Sequence, residues 1–433
     1  MTRPRFTLCL VLACTPKPPT TLPAAEPVWL ESLAPQQPPQ PNRSPAYTSL
    51  TSVREVPLPL SDAPLPASLA LNLVVEGECA WLDVSPVAGA MYVHWGVLGA
   101  FARVPADANF EPALIPNLAN HASSRDRRIR SISGTGPEDL WFRVEGERMP
   151  PHMLLHGKSW QRFGMEHLYP WRDGAVLGYA GQVAFYEVRR PGEAHFEFDT
   201  HSRGPGFDEL FHRVTDCESE SAAQVFTSGD VLFVGRFCQR PRTLSDWNLV
   251  AGHWRADRVE YESIPHPRGE PTGELRMVAP GPHQIHIATT FIAASQHTAV
   301  MSKDLVEWAR PVIFGGALDD LGVDSEGQPW VVAGGIVHRR TIGGWVRLAP
   351  PERMKVEQLG VDAEVAWMIT DLGGLWLRPP GAEAWSAAPI AYGLRAKRVQ
   401  VIGSEVWVTA EGHNHNAILR SGPARPVFKC KEY

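Results

Sequence analysis

The sequence lacks the signatures of several large enzyme classes and of nucleic-acid-binding proteins. Its 433 residues contain no Gly-x-Ser-x-Gly nucleophile elbow and no dinucleotide-binding fingerprint, and Gly334-Gly335 lacks the spacing of a phosphate-binding loop. The densest basic cluster, residues 121–130, is interrupted by Asp126 and has no interleaved aromatic residues. We therefore expect no nucleic-acid partner, and these motifs supply no catalytic residue.

Patterns that bind metals are also scarce. The chain has six cysteines but no Cys-x-x-Cys pair. His413 and His415 have the spacing of paired ligands, yet no third ligand accompanies them in the sequence. Four acidic residues cluster in a turn-rich stretch, where we expect solvated loop carboxylates: Asp319, Asp320, Asp324 and Glu326. We predict neither a metal site nor a cofactor.

The first residues have the order of a cleaved export signal. Arg3 and Arg5 precede an apolar run over residues 6–13. A run of about 8 residues is too short for a transmembrane helix, which needs about 20. The formal charge of the whole chain is −6, so loss of these two arginines leaves a mature chain of about −8.

The signal ends in Val11-Leu12-Ala13-Cys14, which resembles the cleavage box of bacterial lipoproteins. This resemblance implies that residues 1–13 are removed, that Cys14 carries the lipid, and that the protein is anchored in the cell envelope. Thr15 stands where an aspartate signals retention in the inner membrane, which favours the outer membrane, with the protein facing the periplasm or the surface. An ordinary secretory signal is the alternative.

Residues 14–66 are rich in proline and include the pairs Pro18-Pro19 and Pro38-Pro39. Proline fixes φ and has no backbone N–H to donate, so such a segment makes neither helices nor extended hydrogen-bonded ladders. It is typical of a semi-extended, polyproline-like spacer. We predict a disordered tether over residues 14–66 and a globular domain over residues 67–433.

Tryptophan recurs at the start of short apolar segments that have the length of β-strands. Each of these tryptophans follows an acidic residue by two to four positions: Trp81, Trp141, Trp330, Trp367 and Trp407. The last three are 37 and 40 residues apart, a spacing typical of propeller blades. Weaker members of the series lie near Val176, Phe233 and Ile287.

This period predicts an all-β propeller, because one four-stranded blade cannot bury both of its faces alone. Large aromatic side chains would then fill the wedges between blades. We predict seven blades, with six or eight left open, and a pair of β-sandwiches as the structural alternative. The interval from Trp81 to Trp141 is long, so spacing alone does not fix the number.

The phrase at residues 132–142, ISGTGPEDLWF, resembles the degenerate repeats of exported bacterial β-propeller lipoproteins common in myxobacteria. The resemblance extends loosely over residues 70–430 and implies the fold and the envelope location, but no single activity. Residues 301–311 resemble a turn found in sialidase-type propellers, in which Ser302 and Asp304 would cap the turn and Trp308 would pack inside. That likeness implies a fold element rather than a hydrolase.

Four cysteines remain after the export signal, an even number that permits two disulfides in an exported protein. We favour Cys217 with Cys238, which flank one predicted hairpin, and Cys79 with Cys430, near the two ends of the globular domain. Four reduced thiols are the alternative. A strand near residues 69–75 is expected to close the ring by pairing in the same blade as one near residues 417–419.

These observations predict a non-catalytic, membrane-anchored propeller that acts as a binding scaffold for a protein or a glycan. The alternative is a carbohydrate-active hydrolase or lyase that uses the central funnel. Such an enzyme needs two carboxylates facing across a glycosidic bond. A purely structural component of an assembly is the third possibility.

Overall fold

The computed structural model describes residues 48–49, 53–87, 89–96, 99–104, 113–115, 128–145, 152–163, 167–170, 175–180, 183–188, 222–225, 231–238, 247–255, 258–267, 270–281, 283–292, 295–304, 307–351, 354–361, 364–391, 393–413, 415–424 and 427–430. Within these residues the fold is all-β, with a single 3-10 turn at Ala67–Leu69. No described helix is long and apolar enough to cross a membrane.

The strands begin with a short N-terminal series: β1 (Thr48–Ser49), β2 (Arg54–Pro57), β3 (Leu60–Ser61) and β4 (Leu71–Gly77). Sheet 1 follows, with β5 (Asp83–Val87), β6 (Ala90–Trp95), β7 (Ala100–Val104) and β8 (Ala113–Leu114). Sheet 2 contains β9 (Arg128–Gly136), β10 (Asp139–Glu145), β11 (His152–His156) and β12 (Ser159–Phe163). Sheet 3 contains β13 (His167–Pro170), β14 (Ala175–Ala180) and β15 (Val183–Val188). Sheet 4 contains β16 (Ala222–Val225), β17 (Val231–Cys238), β18 (Trp247–Arg255) and β19 (Arg258–Ile264).

Four further sheets complete the chain. Sheet 5 contains β20 (Glu270–Gly281), β21 (Gln284–Ile292), β22 (Gln296–Asp304), β23 (Glu307–Trp308) and β24 (Val312–Gly315). Sheet 6 contains β25 (Leu318–Val323), β26 (Pro329–Ala333), β27 (Ile336–Thr341) and β28 (Gly344–Ala349). Sheet 7 contains β29 (Val356–Gly360), β30 (Ala366–Thr370), β31 (Leu375–Arg378) and β32 (Trp385–Ala388). Sheet 8 contains β33 (Arg395–Ile402), β34 (Glu405–Glu411), β35 (Asn416–Ser421) and β36 (Phe428–Lys429).

Consecutive strands within each sheet run antiparallel as a meander. The first strands of several neighbouring sheets contact one another and so form the inner strands of a ring: β5 with β9, β16 with β20, β20 with β25, β25 with β29, and β33 with β5. The contact between β33 and β5 joins the last sheet to the first. This arrangement is a β-propeller, as the tryptophan spacing predicts.

The direction of the strands defines two faces of the ring. We call the end at which each inner strand begins the upper face, and the opposite end the lower face. In an antiparallel meander the second strand returns to the upper face and the third leaves it. The turns between second and third strands therefore lie on the upper face, and so do the connections into each new inner strand.

The prediction of seven blades is not confirmed, because the described strands form eight sheets. The sequence also contains eight strand anchors, but their uneven spacing does not fix the number of blades. Seven of those anchors lie on the second strand of a sheet: Trp141, Val176, Phe233, Ile287, Trp330, Trp367 and Trp407.

The eighth anchor is a correction. Trp81 lies in the loop between β4 and β5, and its side chain is 40% exposed. The second strand of sheet 1 is β6, whose buried aromatic residues are Tyr92 and Trp95. Trp81 follows an acidic residue as the other anchors do, but the second strand of sheet 1, which carries the buried aromatic residues, begins nine residues later, at Ala90.

Hydrophobic side chains fill the space between neighbouring sheets. Trp407 packs with residues of β4, β5 and β6 between sheets 8 and 1, and Trp330 packs with β29 and β30 between sheets 6 and 7. Each of these tryptophans has an arginine as its cross-strand partner: Arg420 opposite Trp407 and Arg339 opposite Trp330. The guanidinium groups lie over the indole rings, 5.4 Å and 4.9 Å from their centres.

The N-terminal strands β1, β2 and β3 run around the outside of the ring. They pair in parallel with the outer strands of three consecutive sheets: β1 with β24, β2 with β28 and β3 with β32. Residues 48–49, 54–57 and 60–61, which lie within the predicted tether, thus pair with outer strands of the propeller. An added outer strand uses hydrogen bonds on one side only, so Pro57 and Pro59 are tolerated there.

Sheet 8 contains strands from both ends of the domain. The predicted closure is confirmed: β4 pairs antiparallel with β35, with Leu73 opposite Leu419. Strand β36 then pairs in parallel with β4 on the outside. Cys79 and Cys430 form a disulfide beside these strands, and both are buried.

Candidate functional site

Polar side chains of the inner strands link neighbouring sheets on the inside of the ring. Asp320 joins three of these strands. Its carboxylate forms an ion pair with Arg276 of β20 and accepts a hydrogen bond from the backbone N–H of Leu359 in β29, 2.8 Å away. It also accepts the N–H of Leu321 in its own strand at 2.8 Å. One buried carboxylate thus links sheets 5, 6 and 7.

Asp83 repeats this arrangement where the ring closes. Its carboxylate accepts hydrogen bonds from Arg398 of β33 at 2.8 Å and from the hydroxyl of Thr409 in β34 at 3.0 Å. The N–H of Val84 donates to it at 2.8 Å, as Leu321 does for Asp320. These contacts join sheet 8 to sheet 1.

Three consecutive inner strands carry a β-bulge near their upper ends. Their pairing registers shift between Leu318 and Asp320, between Val356 and Gln358, and between Ala396 and Arg398. The extra residues are Asp319, Glu357 and Lys397. All three extra residues are charged, two acidic and one basic, and a bulge changes the direction in which side chains point.

The two adjacent aspartates of β25 have different partners. Asp319 accepts a hydrogen bond from the N–H of Gly335 at 2.7 Å, whereas Asp320 is held by Arg276. Burial raises the pKa of both carboxyl groups, and Arg276 and the backbone N–H donors act in the opposite direction. A carboxyl group with a raised pKa can hold a proton closer to neutral pH than an ordinary aspartate.

Exposed apolar side chains concentrate on the upper face. The large apolar residues that are most exposed among the described ones are Trp81, Leu114, Ile292, Ile342, Leu372 and Val427. Leu372, 70% exposed, lies in the turn between β30 and β31, and Ile292 ends the second strand of sheet 5. Trp81 and Leu114 lie beside the start of β5 and of β7, which are also upper-face positions. Ile342, in the turn between β27 and β28, is at the lower face.

The loop that carries Trp81 is held at several points. Cys79 is bonded to Cys430, and its carbonyl accepts from the side-chain amide of Asn416 at 2.8 Å. The carbonyl of Ala80 accepts from the N–H of Gly96 at 2.7 Å. Trp81 itself has a φ of +58°.

Several predicted site residues lie elsewhere or outside the described residues. Cys14 and Cys217 are outside them, and Cys238 is the last residue of β17. The pairing of Cys217 with Cys238 and the lipid on Cys14 stay predictions. His413 and His415 are exposed in the turn between β34 and β35. Within the described ranges, no group of three His, Cys, Asp or Glu side chains has the arrangement of a metal site.

The acidic cluster is not a set of solvated loop carboxylates, as the sequence suggested. Asp320 and Asp324 are buried, and Asp319 is half-buried. Asp324 caps the β25–β26 turn through the N–H groups of Glu326 and Gln328, and it accepts the indole N–H of Trp330 at 3.0 Å. Of the four, Glu326 alone fits the expectation of an exposed turn residue.

The turn resembling those of sialidases also differs in detail from the expectation. The Ser302 hydroxyl is buried and hydrogen-bonded to Nδ1 of His286 at 2.9 Å. Nε2 of His286 contacts the carbonyl oxygen of Gly327 at 3.1 Å, across to sheet 6. The side chain of Ser302 therefore helps to hold His286 in its contact with sheet 6. Its backbone carbonyl accepts a hydrogen bond from the N–H of Ala309 at 2.8 Å in the turn.

No protein-family model matches the chain, and no curated protein matches it. Solved structures resemble it at low identity. Sqt1 of Saccharomyces cerevisiae is 7% identical, with a TM-score of 0.46, and the match covers 84% of this chain and 100% of that one. The Pan2 WD40 domain of Neurospora crassa is 9% identical, with a TM-score of 0.41, covering 85% and 100%. YCF48 from Cyanidioschyzon merolae is 12% identical, with a TM-score of 0.37, covering 84% and 99%. No activity follows from a likeness at these identities and TM-scores.

Proposed function

We propose that this protein is a non-catalytic, lipid-anchored β-propeller of the cell envelope that binds a partner protein or glycan through its upper face. The observation that carries this proposal is the distribution of exposed apolar side chains. Trp81, Leu114, Ile292 and Leu372 all lie at one end of the ring. Exposed apolar groups gathered on one face of a rigid scaffold are typical of an interaction surface.

The polar groups beneath this surface support a binding role. Asp320 and Asp83 are each engaged by an arginine and by backbone N–H groups within the ring. Contacts of this kind fix the relative positions of neighbouring sheets and hold the upper-face loops in one geometry. A preformed surface loses less conformational entropy on binding than a flexible one.

The binding face can be tested by affinity capture from envelope extracts with the full-length protein. Leu372→Asp and Ile292→Asp each place a charge on the upper face, while Ile342→Asp places the same charge on the lower face. We expect the two upper-face variants to lose a co-purifying partner that the wild type and Ile342→Asp retain. Equal loss with Ile342→Asp, or full retention by both upper-face variants, would contradict the proposal. Melting temperatures of the purified variants check that each is folded.

The anchor is tested separately by cell fractionation. We expect the wild type to sediment with membranes and Cys14→Ala to be soluble or unprocessed. Cys9→Ala is the matched control, because it lies within the export signal and leaves the cleavage box intact. A cleaved Cys14→Ala variant that still fractionates with lipid would contradict the lipoprotein assignment.

The second candidate is a carbohydrate-active hydrolase or lyase acting on the inside of the ring. The raised pKa of Asp319 and Asp320 favours it, because a general acid must hold its proton near the working pH. A panel of chromogenic glycosides and uronates tests this candidate with Asp319→Asn as the variant. Turnover by the wild type that Asp319→Asn abolishes would support the enzyme. Turnover of none of the panel would favour the scaffold.

A further inference from the structure

Two arginine side chains converge on one buried tryptophan between sheets 6 and 7, near the lower face. Arg339 belongs to β27 and Arg378 is the last residue of β31; both strands are the third of their sheets and run toward the lower face. Their guanidinium carbons lie 4.9 Å and 5.4 Å from the centre of the Trp330 ring. The guanidinium carbon of Arg378 also lies 5.1 Å from the centre of the buried Trp385 ring. Two cations are thus gathered around two indole rings.

One carboxylate lies in this cluster, and its oxygens already accept several hydrogen bonds. Oδ1 of Asp324 accepts the backbone N–H groups of Glu326 and Gln328. Oδ2 accepts the indole N–H of Trp330 at 3.0 Å and a guanidinium N–H of Arg339 at 3.3 Å. Asp324 is therefore committed to the β25–β26 turn, to the tryptophan and to one of the two arginines.

Arg378 has no carboxylate of its own. Within the part of the chain that the structure describes, its guanidinium forms no hydrogen bond and no ion pair, and it contacts the two indole rings. Burial lowers the pKa of this guanidinium, and the charge of Arg339 acts in the same direction, while Asp324 opposes both. Two further donors of the cluster have no acceptor: Nε of Arg339 and the indole N–H of Trp385. Donors therefore outnumber acceptors between these two sheets.

A related contact in sheet 8 shows that the fold does not require this surplus. Arg420 lies over Trp407 as Arg339 lies over Trp330. Nε of Arg420 donates to Glu405 at 3.0 Å, and a second nitrogen of the same guanidinium forms an ion pair with that carboxylate. The contact there involves one arginine and one carboxylate. Arg378 is an additional cation that this repeated contact does not explain.

We propose that Arg378 and Arg339 form a binding site for a phosphate group at the lower face, between sheets 6 and 7. A guanidinium presents paired N–H donors that match the oxygens of a phosphate. Asp324 repels anions, so the site favours a phosphate monoester, with a charge of about −2 and three strong acceptor oxygens, over a singly charged carboxylate. Inorganic phosphate and the headgroup of phosphatidic acid share this chemistry. The site lies at the opposite end of the ring from the proposed partner-binding surface and does not depend on it.

Isothermal titration calorimetry with the full-length protein at constant ionic strength tests the site. The probes are inorganic phosphate, the soluble short-chain lipid dihexanoyl phosphatidic acid, and acetate as the carboxylate control. We expect a phosphate probe to bind and acetate not to bind. Binding of inorganic phosphate would support a site for a free ion, and binding of the lipid alone would support a site for a headgroup. Binding of neither phosphate probe, or equal binding of acetate, would overturn the proposal.

Substitutions assign the binding to the two arginines. Arg378→Gln should weaken binding of the phosphate probe about ten-fold or more, because hydrogen bonds between charged groups are lost. Arg378→Lys keeps the charge without the planar pair of donors, so its loss should be smaller. Arg420→Gln is the matched control, because it removes an arginine from beside a tryptophan where the guanidinium is already paired with Glu405. Unchanged affinity for Arg378→Gln, or an equal loss for Arg420→Gln, would contradict the assignment.

Melting temperatures separate a binding role from a structural one. Because Arg378 has no carboxylate partner, Arg378→Gln should keep the melting temperature of the wild type in phosphate-free buffer. Phosphate should raise the melting temperature of the wild type more than that of the variant, since a ligand of the folded state stabilises it. A lower melting temperature without phosphate, together with an unchanged response to phosphate, would assign Arg378 a purely structural role. If Arg378→Gln does not fold, Arg378→Lys provides the same comparison, because a lysine retains a cation beside the indole rings.

Discussion

Arg398 and Asp83 lie 315 residues apart in the chain, and the guanidinium of the first donates to the carboxylate of the second across 2.8 Å. The same carboxylate accepts from Thr409 and from the N–H of Val84. A single side chain therefore ties the first inner strand to the last one. The closure of the ring depends on such contacts as well as on the apolar wedge between sheets 8 and 1.

We predict that Asp83→Ala lowers the free energy of unfolding by about 1–3 kcal/mol, because three donors lose their acceptor. Urea unfolding at neutral pH measures the change. The matched control is Glu55→Ala, whose ion pair with Arg347 is largely exposed on both sides. That change should cost less than about 0.5 kcal/mol. Similar losses of stability for both variants would show that the contacts of Asp83 contribute no more than an exposed ion pair.

A second prediction concerns Asp324 and Trp330. Asp324→Ala leaves the buried indole N–H and two backbone N–H groups of the turn without their acceptor. We expect a loss of about 2–3 kcal/mol in the free energy of unfolding. Glu326→Ala, in the same turn but exposed, should change it by less than about 0.5 kcal/mol. The expectation fails if Asp324→Ala is as mild as Glu326→Ala.

The third prediction is a pH dependence of stability. His94 and His338 are buried, and desolvation lowers the pKa of each to about 4, whereas an unfolded histidine has a value of 6.5. Between these values the unfolded chain binds more protons than the folded one, so stability is full above pH 6.5 and is lost as the pH falls toward 4. Each histidine should therefore lower the free energy of unfolding by about 2 kcal/mol between pH 7 and pH 5.

The contribution of one histidine can be isolated by substitution. His94 contacts the hydroxyl of Ser85 at 3.1 Å, and that hydroxyl accepts the N–H of Ile132 in sheet 2. His94→Gln retains a polar group at this position but cannot be protonated. Urea midpoints at pH 7 and pH 5 should differ less for this variant than for the wild type. An unchanged difference would mean that His94 is not responsible.

A fourth prediction concerns the disulfide. Cys79 and Cys430 are separated by 351 residues, so their bond removes much of the conformational freedom of the unfolded chain. Replacing both by serine should lower the free energy of unfolding by about 3–5 kcal/mol. Thermal unfolding of the double variant, compared with the wild type in the absence of reductant, measures this. A change below about 1 kcal/mol would show that sheet 8 is closed by its strands alone.

The tryptophan period was sufficient to predict the class of fold. Trp330, Trp367 and Trp407 occupy equivalent places on second strands because the wedge between sheets needs a large side chain there. The same signal misplaced Trp81, because an acidic residue before a tryptophan also occurs in the constrained loop after β4. The buried Tyr92, which fills the corresponding place on β6, carries no acidic residue before it.

The parallel outer strands near the N-terminus and the ion pair of Asp320 were not predictable from the sequence. The prolines in residues 54–61 disfavour a strand in isolation. These residues form parallel outer strands because an existing sheet offers an unpaired edge. The ion pair of Asp320 with Arg276 depends on the register of two different sheets and on a bulge at Asp319. Contacts of this kind arise from tertiary packing, which local spacing does not encode.

The most direct test of the central claim, that the two ends of the domain meet in one sheet, is non-reducing peptide mapping of the full-length protein. The structure predicts a cross-linked species joining the peptide that contains Cys79 to the peptide that contains Cys430. Cross-linking of Cys79 to Cys217 or Cys238 instead would contradict the closure of the ring and, with it, the placement of Trp81 on the upper face.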